Sequence, residues 1–457
     1  MSRLYPLFAQ NFVAPVYDIA RGTSRFKFHR VLQKTQWLSR EQIEHLQTRN
    51  LRVLLKHAYE TVPYYRKIFR ERGLAPSDIK RVDDLAKLPM LTKADIRKNF
   101  RGLVSRSFPR SKLIPYQSGG TGDPIRFYNT KESLSWELAA EFRAYGWAGY
   151  RLGEPCFILW GSPVDLSKYK TMISRVTKAF ENALIVDAFV MTDEVLSRYV
   201  SLLRKFNPRI VRGYSHSVYM LAKYLLEKHI DYVRPRAVLT TAETLSDQKR
   251  KGIREAFGCP VFDHYGSREV GAIAAECEEH RGYHVSAENV ILEFIGQGEK
   301  VAAGEDGVIL VTNLRNFGMP FIRYQIGDVC RPSDDVCSCG RGLPLISSIK
   351  GRIIEFLAVY DKRLGRVIPI SPGVFELLLG HLPLKQYRIL QESLNMIVVK
   401  AVKDKGYSQE HTDFLLKSLH EYMGKDITIK IEFVDYLRPM PSGKRPLSIS
   451  KINPFEK

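Results

Sequence analysis

The 457-residue chain contains no run of the roughly 18 apolar residues that a membrane-crossing helix requires, so a soluble or peripheral protein is expected. Its first residues lack the order of basic head, apolar stretch and small-residue cleavage site, and no secretory signal is read there. Cysteine is scarce: six are scattered unevenly, which suits a reducing cytoplasm better than a disulfide scaffold. Internal repeats and low-complexity tracts are missing, as are zinc-finger, helix-turn-helix and RNA-recognition signatures. That last absence matters because the net charge is +21. The charge is spread along the whole chain, so it points to anionic substrates or a membrane surface, with no specific nucleic acid as partner.

At 457 residues the chain exceeds the roughly 250 to 300 at which single cores stop growing, so more than one domain is expected. Leu4, Phe8, Phe12, Val16 and Ile19 recur near helical spacing, interrupted by Pro15. They precede Arg21, Arg25, Lys27, Arg30, Lys34 and Arg40, with no acid from 21 to 40. A basic-flanked amphipathic segment suits anionic lipid, but an apolar stripe more often packs on the body of its own protein, and packing is the expectation here.

Residues 42–69 read as helix up to Val62-Pro63. From Cys156 onward short apolar strands alternate with amphipathic helices: Cys156 to Trp160, Leu184 to Val186, Ile210-Val211, Ala237 to Leu239 and Val261-Phe262 as strands, with helices at 196–206, 218–226 and 247–257. Strand and helix in alternation imply a parallel sheet covered on both faces. Val290 to Ile295, Val308 to Val311 and Phe321 to Tyr324 suggest an antiparallel subregion. Beyond Gly351-Arg352 a hairpin over 387–402, a helix over 414–423 and a strand over 427–433 fit a small α+β domain. The expected fold is α/β: a large N-terminal domain of parallel α/β subdomains with an antiparallel β subregion, and a small mobile α+β C-terminal domain. The expected segments are a basic, amphipathic extension (1–41), the large domain (42–351) and a lid (352–457).

Ser118-Gly119-Gly120-Thr121-Gly122-Asp123, closed by Pro124, is chemically the most specific stretch. Glycines let backbone N–H groups converge on an anion, and Ser118 and Thr121 add hydroxyls. No lysine follows, so this is not a G-x-x-x-x-G-K-[ST] phosphate loop, and alone it would pass for an ordinary turn. Downstream stand Tyr265-Gly266-Ser267-Arg268-Glu269, Arg323-Tyr324-Gln325-Ile326-Gly327-Asp328, Gly351-Arg352 and Pro441-Ser442-Gly443-Lys444. In this order the motifs resemble the adenylate-forming enzymes, the acyl-CoA synthetases and their relatives, and within them the phenylacetate-CoA ligase-like branch. His57-Ala58, Val62-Pro63-Tyr64-Tyr65-Arg66 and Leu88-Pro89 with Lys93 resemble that branch's opening. The sequence texture is most similar to a subgroup associated with capsular and exopolysaccharide gene clusters.

The resemblance implies that a carboxylate attacks the α-phosphate of ATP, releases pyrophosphate, and passes its acyl group to an acceptor. That acceptor is expected to be coenzyme A, with a carrier-protein phosphopantetheine or a sugar amine left open. By the same resemblance Ser118, Gly119, Gly120, Thr121 and Gly122 would hold the β- and γ-phosphates, and Glu269 would place Mg²⁺. Tyr265, with Gly266 and Ser267, would lie beside the adenine, Asp328 would accept the ribose hydroxyls, and Arg352 would reach the ribose or phosphate. Lys444 would approach the α-phosphate and the attacking oxygen, where an ammonium gains most as negative charge develops. Glu243 stands where relatives have a Gly-Glu pair, with Ala242 replacing the glycine. Asp123 and Arg268 also depart from the usual residues, and the hinge after Arg352 keeps one acid, Glu355. The counter-reading is a catalytically silent homologue acting as a scaffold in a polysaccharide-biosynthesis assembly.

Cys277-x-x-His280 and Cys337-x-Cys339 form two ligand pairs, and Cys339-Gly340 resembles half of a zinc ribbon. A structural Zn²⁺ on Cys277, His280, Cys337 and Cys339 is expected. His284 is the rival nitrogen, preferred here as a residue facing the acyl pocket. The 157–162 and 212–215 segments, with Tyr265, are candidates for lining that pocket.

Overall fold

The computed structural model describes residues 5–118, 124–160, 181–296, 298–440 and 444–455. They fall into two compact units: Met1–Glu293 with Leu310–Ile326 and Ser333–Ser347, and Phe294–Ile309 with Gly327–Pro332 and Ser348–Lys457. The residue 351/352 boundary expected from sequence lies within a strand, Leu345–Arg352.

In the first unit β1 (Ile114–Gln117) and β2 (Arg126–Asn129) form an antiparallel hairpin. β3 (Cys156–Trp160), β4 (Ala183–Asp187), β5 (Ile210–Tyr214), β6 (Ala237–Thr241) and β7 (Val261–Ser267) pair in parallel. β8 (Gly271–Glu276), β9 (Tyr283–Val285) and the start of β14 (Leu345–Arg352) continue antiparallel. Along this unit the order is β14-β9-β8-β7-β6-β5-β3-β4, a stretch of a twelve-stranded sheet. One face of the parallel strands carries Phe157, Leu159, Val211 and Val238, packed with Leu196, Leu203, Val218 and Ile253 from helices Asp193–Phe206, Ser215–Glu227 and Asp247–Phe257. Parallel strands buried on both faces must be apolar throughout, and these are nearly so.

Helix Lys131–Trp147 was not legible in the sequence. It buries a stripe of Trp136, Ala140, Arg143 and Ala144 and, on other sides, Ser135 and Tyr145. Arg143 is tied to Glu288 at 2.7 Å, with side-chain exposures of 0% and 1%. Arg40–Thr61 and Pro63–Glu71 form two helices, because Val62 turns extended and Pro63 takes the first helical position. The N-terminal stripe departs from expectation: Phe8, Phe12, Val16 and Ile19 are exposed, not packed.

The second unit holds parts of β10 (Val290–Gly296), β12 (Gly307–Asn313), β13 (Tyr324–Ser333) and β14, with β11 (Glu299–Lys300) paired antiparallel to β10. β13 begins at Tyr324, later than the apolar run suggested, since Arg323 sits at φ +53. β15 (Leu357–Asp361) pairs with β16 (Arg366–Ile370). β17 (Leu384–Ser393) and β18 (Met396–Lys403) make the expected hairpin, flanked by β19 (Thr428–Phe433) and β20 (Ser448–Ser450) in the order β19-β18-β17-β20. Helices Pro372–Leu379 and Gln409–Met423 close its core through Phe375, Leu379, Leu415 and Leu419.

Candidate active site and metal centre

Gly119, Gly120, Thr121, Gly122 and Asp123 lie outside the described residues, as do Pro441, Ser442 and Gly443. What is described is the neck of the Gly-rich loop. Ser118 N donates to Ile125 O at 2.9 Å, and Ile125 N donates to Ser118 Oγ at 2.9 Å. The Ser118 oxygen therefore clips the two strands of the hairpin at the loop's base.

Tyr265, Gly266 and Ser267 end β7, and Glu269 sits in the turn to β8, all in one corner of the first unit. Tyr265 and Glu269 are buried, and Tyr324 Oη lies 3.4 Å from Glu269 Oε1. A Cβ at Gly266 would come within 2.7 Å of Gly271 O, so only glycine fits the bulge between Tyr265 and Gly266. Ala242 sits at φ +71, a conformation natural to glycine. The turn it makes brings Glu243 to the N-terminus of helix Ser215–Glu227, where His216 N donates to Glu243 Oε2 at 3.0 Å and Ser215 Oγ to Glu243 O at 2.9 Å.

The carboxyl halves of β3, β5 and β7 face helix Lys131–Trp147 with polar and aromatic groups that the sequence reading largely missed. Arg212 stacks over Tyr145 at 4.4 Å and over Trp160 at 5.4 Å, and lies 3.9 Å from Glu141. Tyr145 Oη donates to Glu141 Oε2 at 3.2 Å, and the His264 ring lies 5.8 Å from Tyr145. Burial pushes the His264 imidazole down to about 4, so it is neutral at pH 7, and its buried Nε2 has no hydrogen-bond partner. Four residues before Glu141, burial and then the Glu141 charge push the Glu137 carboxyl up to about 8. Crevices at the carboxyl ends of parallel strands are where open α/β sheets take ligands. Arg212 and Tyr214 were legible as lining candidates; Glu137, Glu141, Tyr145 and His264 were not, because no spacing in the sequence links the helix to the strands.

Asp328, Arg352 and Lys444 belong to the second unit. Arg352 Nε donates to Asp328 Oδ1 at 3.1 Å, and Arg352 N to Glu355 Oε2 at 3.2 Å. Burial raises the Glu355 carboxyl, opposed by the Arg352 N–H and by the charges of Lys444 and Arg352. Lys444 is half-buried, and its carbonyl accepts from Met440 N at 2.8 Å.

The front segments that carry part of the resemblance have structural work. Tyr65 Oη donates to Pro320 O and accepts from Ile322 N, both at 3.0 Å. Arg323 Nε lies 3.1 Å from both oxygens of Glu293, and its Nη1 reaches the carbonyls of Ala86 and Leu88.

Cys277, Cys337 and Cys339 converge with His284, their ligand atoms all within 4.8 Å of one another. Cys277 Sγ lies 3.7 Å from Cys337 Sγ, and Cys339 Sγ 3.3 Å from His284 Nε2. Bonds of about 2.3 Å to sulfur and about 2.0 Å to nitrogen at tetrahedral angles set such edges near 3.5 to 3.8 Å, so the donor set fits Zn²⁺. The expected His280 is not in the cluster. Two similar turns explain why: His280 N bonds to Cys277 O at 3.1 Å and Gly340 N to Cys337 O at 3.2 Å, and both His280 and Gly340 have positive φ, +50 and +82. His280 thus holds the position of the turn's glycine, and its ring goes to Phe262 and Glu276. His284, expected at the acyl pocket, comes from β9 and supplies the nitrogen. None of the six cysteines is in a disulfide.

Residues 370–451 match the family described as the CapK C-terminal domain. Protein CapK of Staphylococcus aureus is 25% identical over 412 residues, 89% of each chain. A phenylacetate-coenzyme A ligase of Thermus thermophilus is 27% identical over 352 residues, covering 74% of this chain and 77% of its own. The crystal structure of 2-hydroxyisobutyryl-CoA ligase in the postadenylation state with 2-HIB-AMP has a TM-score of 0.71 at 19% identity, covering 89% of both chains. The relatives are those to which the ordered motifs pointed, and the fold is the one expected. Among the described residues no helix is long and apolar enough to cross a membrane.

Proposed function

From its relation to the phenylacetate-coenzyme A ligases and to CapK, we propose that the chain activates a carboxylic acid with ATP and Mg²⁺, releases pyrophosphate, and transfers the acyl group to coenzyme A. The observation that carries the reading is the joint presence of Glu269, Asp328, Arg352 and Lys444 in the ordered motifs of a chain matching those relatives over most of its length. A silent scaffold has no chemical need for all four.

Each residue takes a role suited to its chemistry. Gly119, Gly120, Thr121 and Gly122, with Ser118 fixing the neck, receive the β- and γ-phosphates. Glu269 supplies a carboxylate for Mg²⁺, a hard cation that prefers oxygen. Tyr265 offers an aromatic face to the adenine with Gly266 and Ser267 beside it, and Glu243 fixes the neighbouring turn. Asp328 accepts the ribose hydroxyls, oriented by Arg352. Lys444, carried by a mobile lid of residues 352–457, stabilises charge developing between the acid and the α-phosphate. The acid's distal end lies against Trp160, Arg212, Tyr214 and His264. The unpartnered His264 nitrogen favours an acid with a hydrogen-bonding substituent over a bare ring. Zn²⁺, held by Cys277, His284, Cys337 and Cys339, is structural, since four protein ligands leave no open position. Six cysteines outside any disulfide suit a reducing compartment, and the reading places the protein in the cytoplasm.

Pyrophosphate release from ATP and Mg²⁺ over a panel of aromatic, fatty, hydroxylated and sugar acids tests the reading, with and without coenzyme A. A signal that depends on an acid, falls at least a hundredfold in Lys444→Ala and yields a thioester with coenzyme A supports it. Release unchanged in Lys444→Ala overturns the assignment, and adenylation without thioester moves the acceptor to a phosphopantetheine carrier or a sugar amine. ATP binding with no acid-dependent release would favour the scaffold.

A further inference from the structure

We infer that the N-terminal helical segment docks the protein on anionic lipid bilayers. The segment runs through Tyr5–Phe8, a wider turn at Ala9–Val13, and Ala14–Arg21. One side is pinned to the first unit. Ala9 and Ala14 are buried, and a Cβ on Gly153 would lie 3.0 Å from Ala9 Cβ and 3.1 Å from the Tyr5 ring. Buried Asp18 accepts from Thr23 Oγ1 at 2.6 Å, Arg25 Nε at 2.8 Å and Phe26 N at 2.9 Å.

The other side is apolar and in water. Phe8 is 54% exposed, Phe12 64%, Val16 65% and Ile19 80%, and Leu7 adds to them. Positions 8, 12, 16 and 19 follow helical periodicity, so they share one stripe, and the Phe8 and Phe12 rings stack at 5.6 Å. An apolar side chain shown singly is ordinary; a row of four on an anchored helix, with Leu7 exposed near it, has a partner.

Charge complementarity identifies the partner. Arg21, Lys27, Arg30 and Lys34 are exposed in a stretch from 21 to 40 without an acid. Lys131 Nζ reaches Arg21 O at 3.0 Å, and Arg151 is exposed two residues before Gly153. Glu132 is the acidic exception beside Lys131. Exposed apolar side chains followed directly in the chain by exposed cations match the acyl boundary and headgroups of an anionic leaflet, and together supply the two signals that stable attachment needs. A protein groove would be expected to offer acids or hydrogen-bond partners; a bilayer asks only for area and positive charge. The inference does not depend on the ligase reading.

Co-sedimentation of the full-length protein with vesicles tests it. We expect at least tenfold stronger partition onto phosphatidylcholine vesicles containing about one third phosphatidylserine than onto phosphatidylcholine alone. Phe8→Glu with Phe12→Glu should reduce that partition at least tenfold while the melting temperature stays that of the parent. Lys27→Glu with Arg30→Glu should weaken binding and flatten its salt dependence. Binding equal in the parent and the Phe8→Glu, Phe12→Glu variant overturns the inference. So does absence of binding in a parent that sediments as a dimer and becomes monomeric in the variant, which would assign the stripe to a second copy of the chain.

Discussion

Two residues show how local conformation and burial set the behaviour of the site. Ala242 holds a left-handed backbone at φ +71 beside Glu243. An L-residue loses roughly 1 to 2 kcal/mol there, and a glycine recovers this less the roughly 0.4 to 1 kcal/mol of extra freedom it brings to the unfolded chain. Ala242→Gly should therefore stabilise the fold by about 0.5 to 1 kcal/mol, read as a higher denaturation midpoint with unchanged slope. His264 sets a pH dependence. Its folded value of about 4 lies below the unfolded 6.5, so between these pH values the unfolded chain binds a proton that the native chain refuses. Stability falls as pH drops through that window. Asp263, raised by burial to about 7, acts in the opposite sense, holding in the native state a proton that the unfolded chain releases above 3.8. The His264 contribution therefore has to be isolated: His264→Asn should show a fall in stability from pH 6.5 to 4 that is shallower than the parent's. An equal or steeper fall would mean that His264 titrates normally in the native state.

At the scale of elements, the candidate metal centre is assembled by two turns and a strand. Cys277 and the Cys337–Cys339 pair stand on turns of the same design, and β9 brings His284 across to them. Purified protein should carry about one zinc per chain, lost together with several degrees of thermal stability in Cys337→Ser and His284→Ala. His280→Ala should retain the metal, which metal analysis reads directly; loss of zinc in His280→Ala but not in His284→Ala would reverse the assignment. The spacing C-x-x-H marked the region and misplaced the nitrogen, because a chain position three residues on can be either a ligand or the left-handed exit of the turn. Helix Lys131–Trp147 was missed for a different reason. A helix buried on several sides loses the periodicity by which amphipathic helices are recognised, and it carries Glu137, Glu141, Arg143 and Tyr145. Strands β3, β5, β6 and β7 were legible as apolar runs with helical stretches between them.

For the whole molecule the net charge of +21 is a property of function more than of fold. Affinity for ATP should weaken severalfold between roughly 20 and 200 mM salt while the melting temperature changes little, a contrast available from one titration series and one melting series. An ATP affinity indifferent to salt would leave the basic balance to the membrane surface alone. The sequence by itself determined the α/β class, the order of strands and helices in the parallel region, and the C-terminal hairpin and helix, and it carries the ordered motifs by which the chain resembles the adenylate-forming enzymes. The elements follow from interactions within a few residues, where apolar period and turn formers act. Only the tertiary structure decided that His284 joins the thiols, that Arg323 and Tyr65 bind distant backbone, that Glu141, Tyr145 and His264 gather round Arg212, and that the N-terminal stripe faces outward. Each of these depends on which distant segments the packing brings together and which faces it leaves uncovered. No local period in the chain records that.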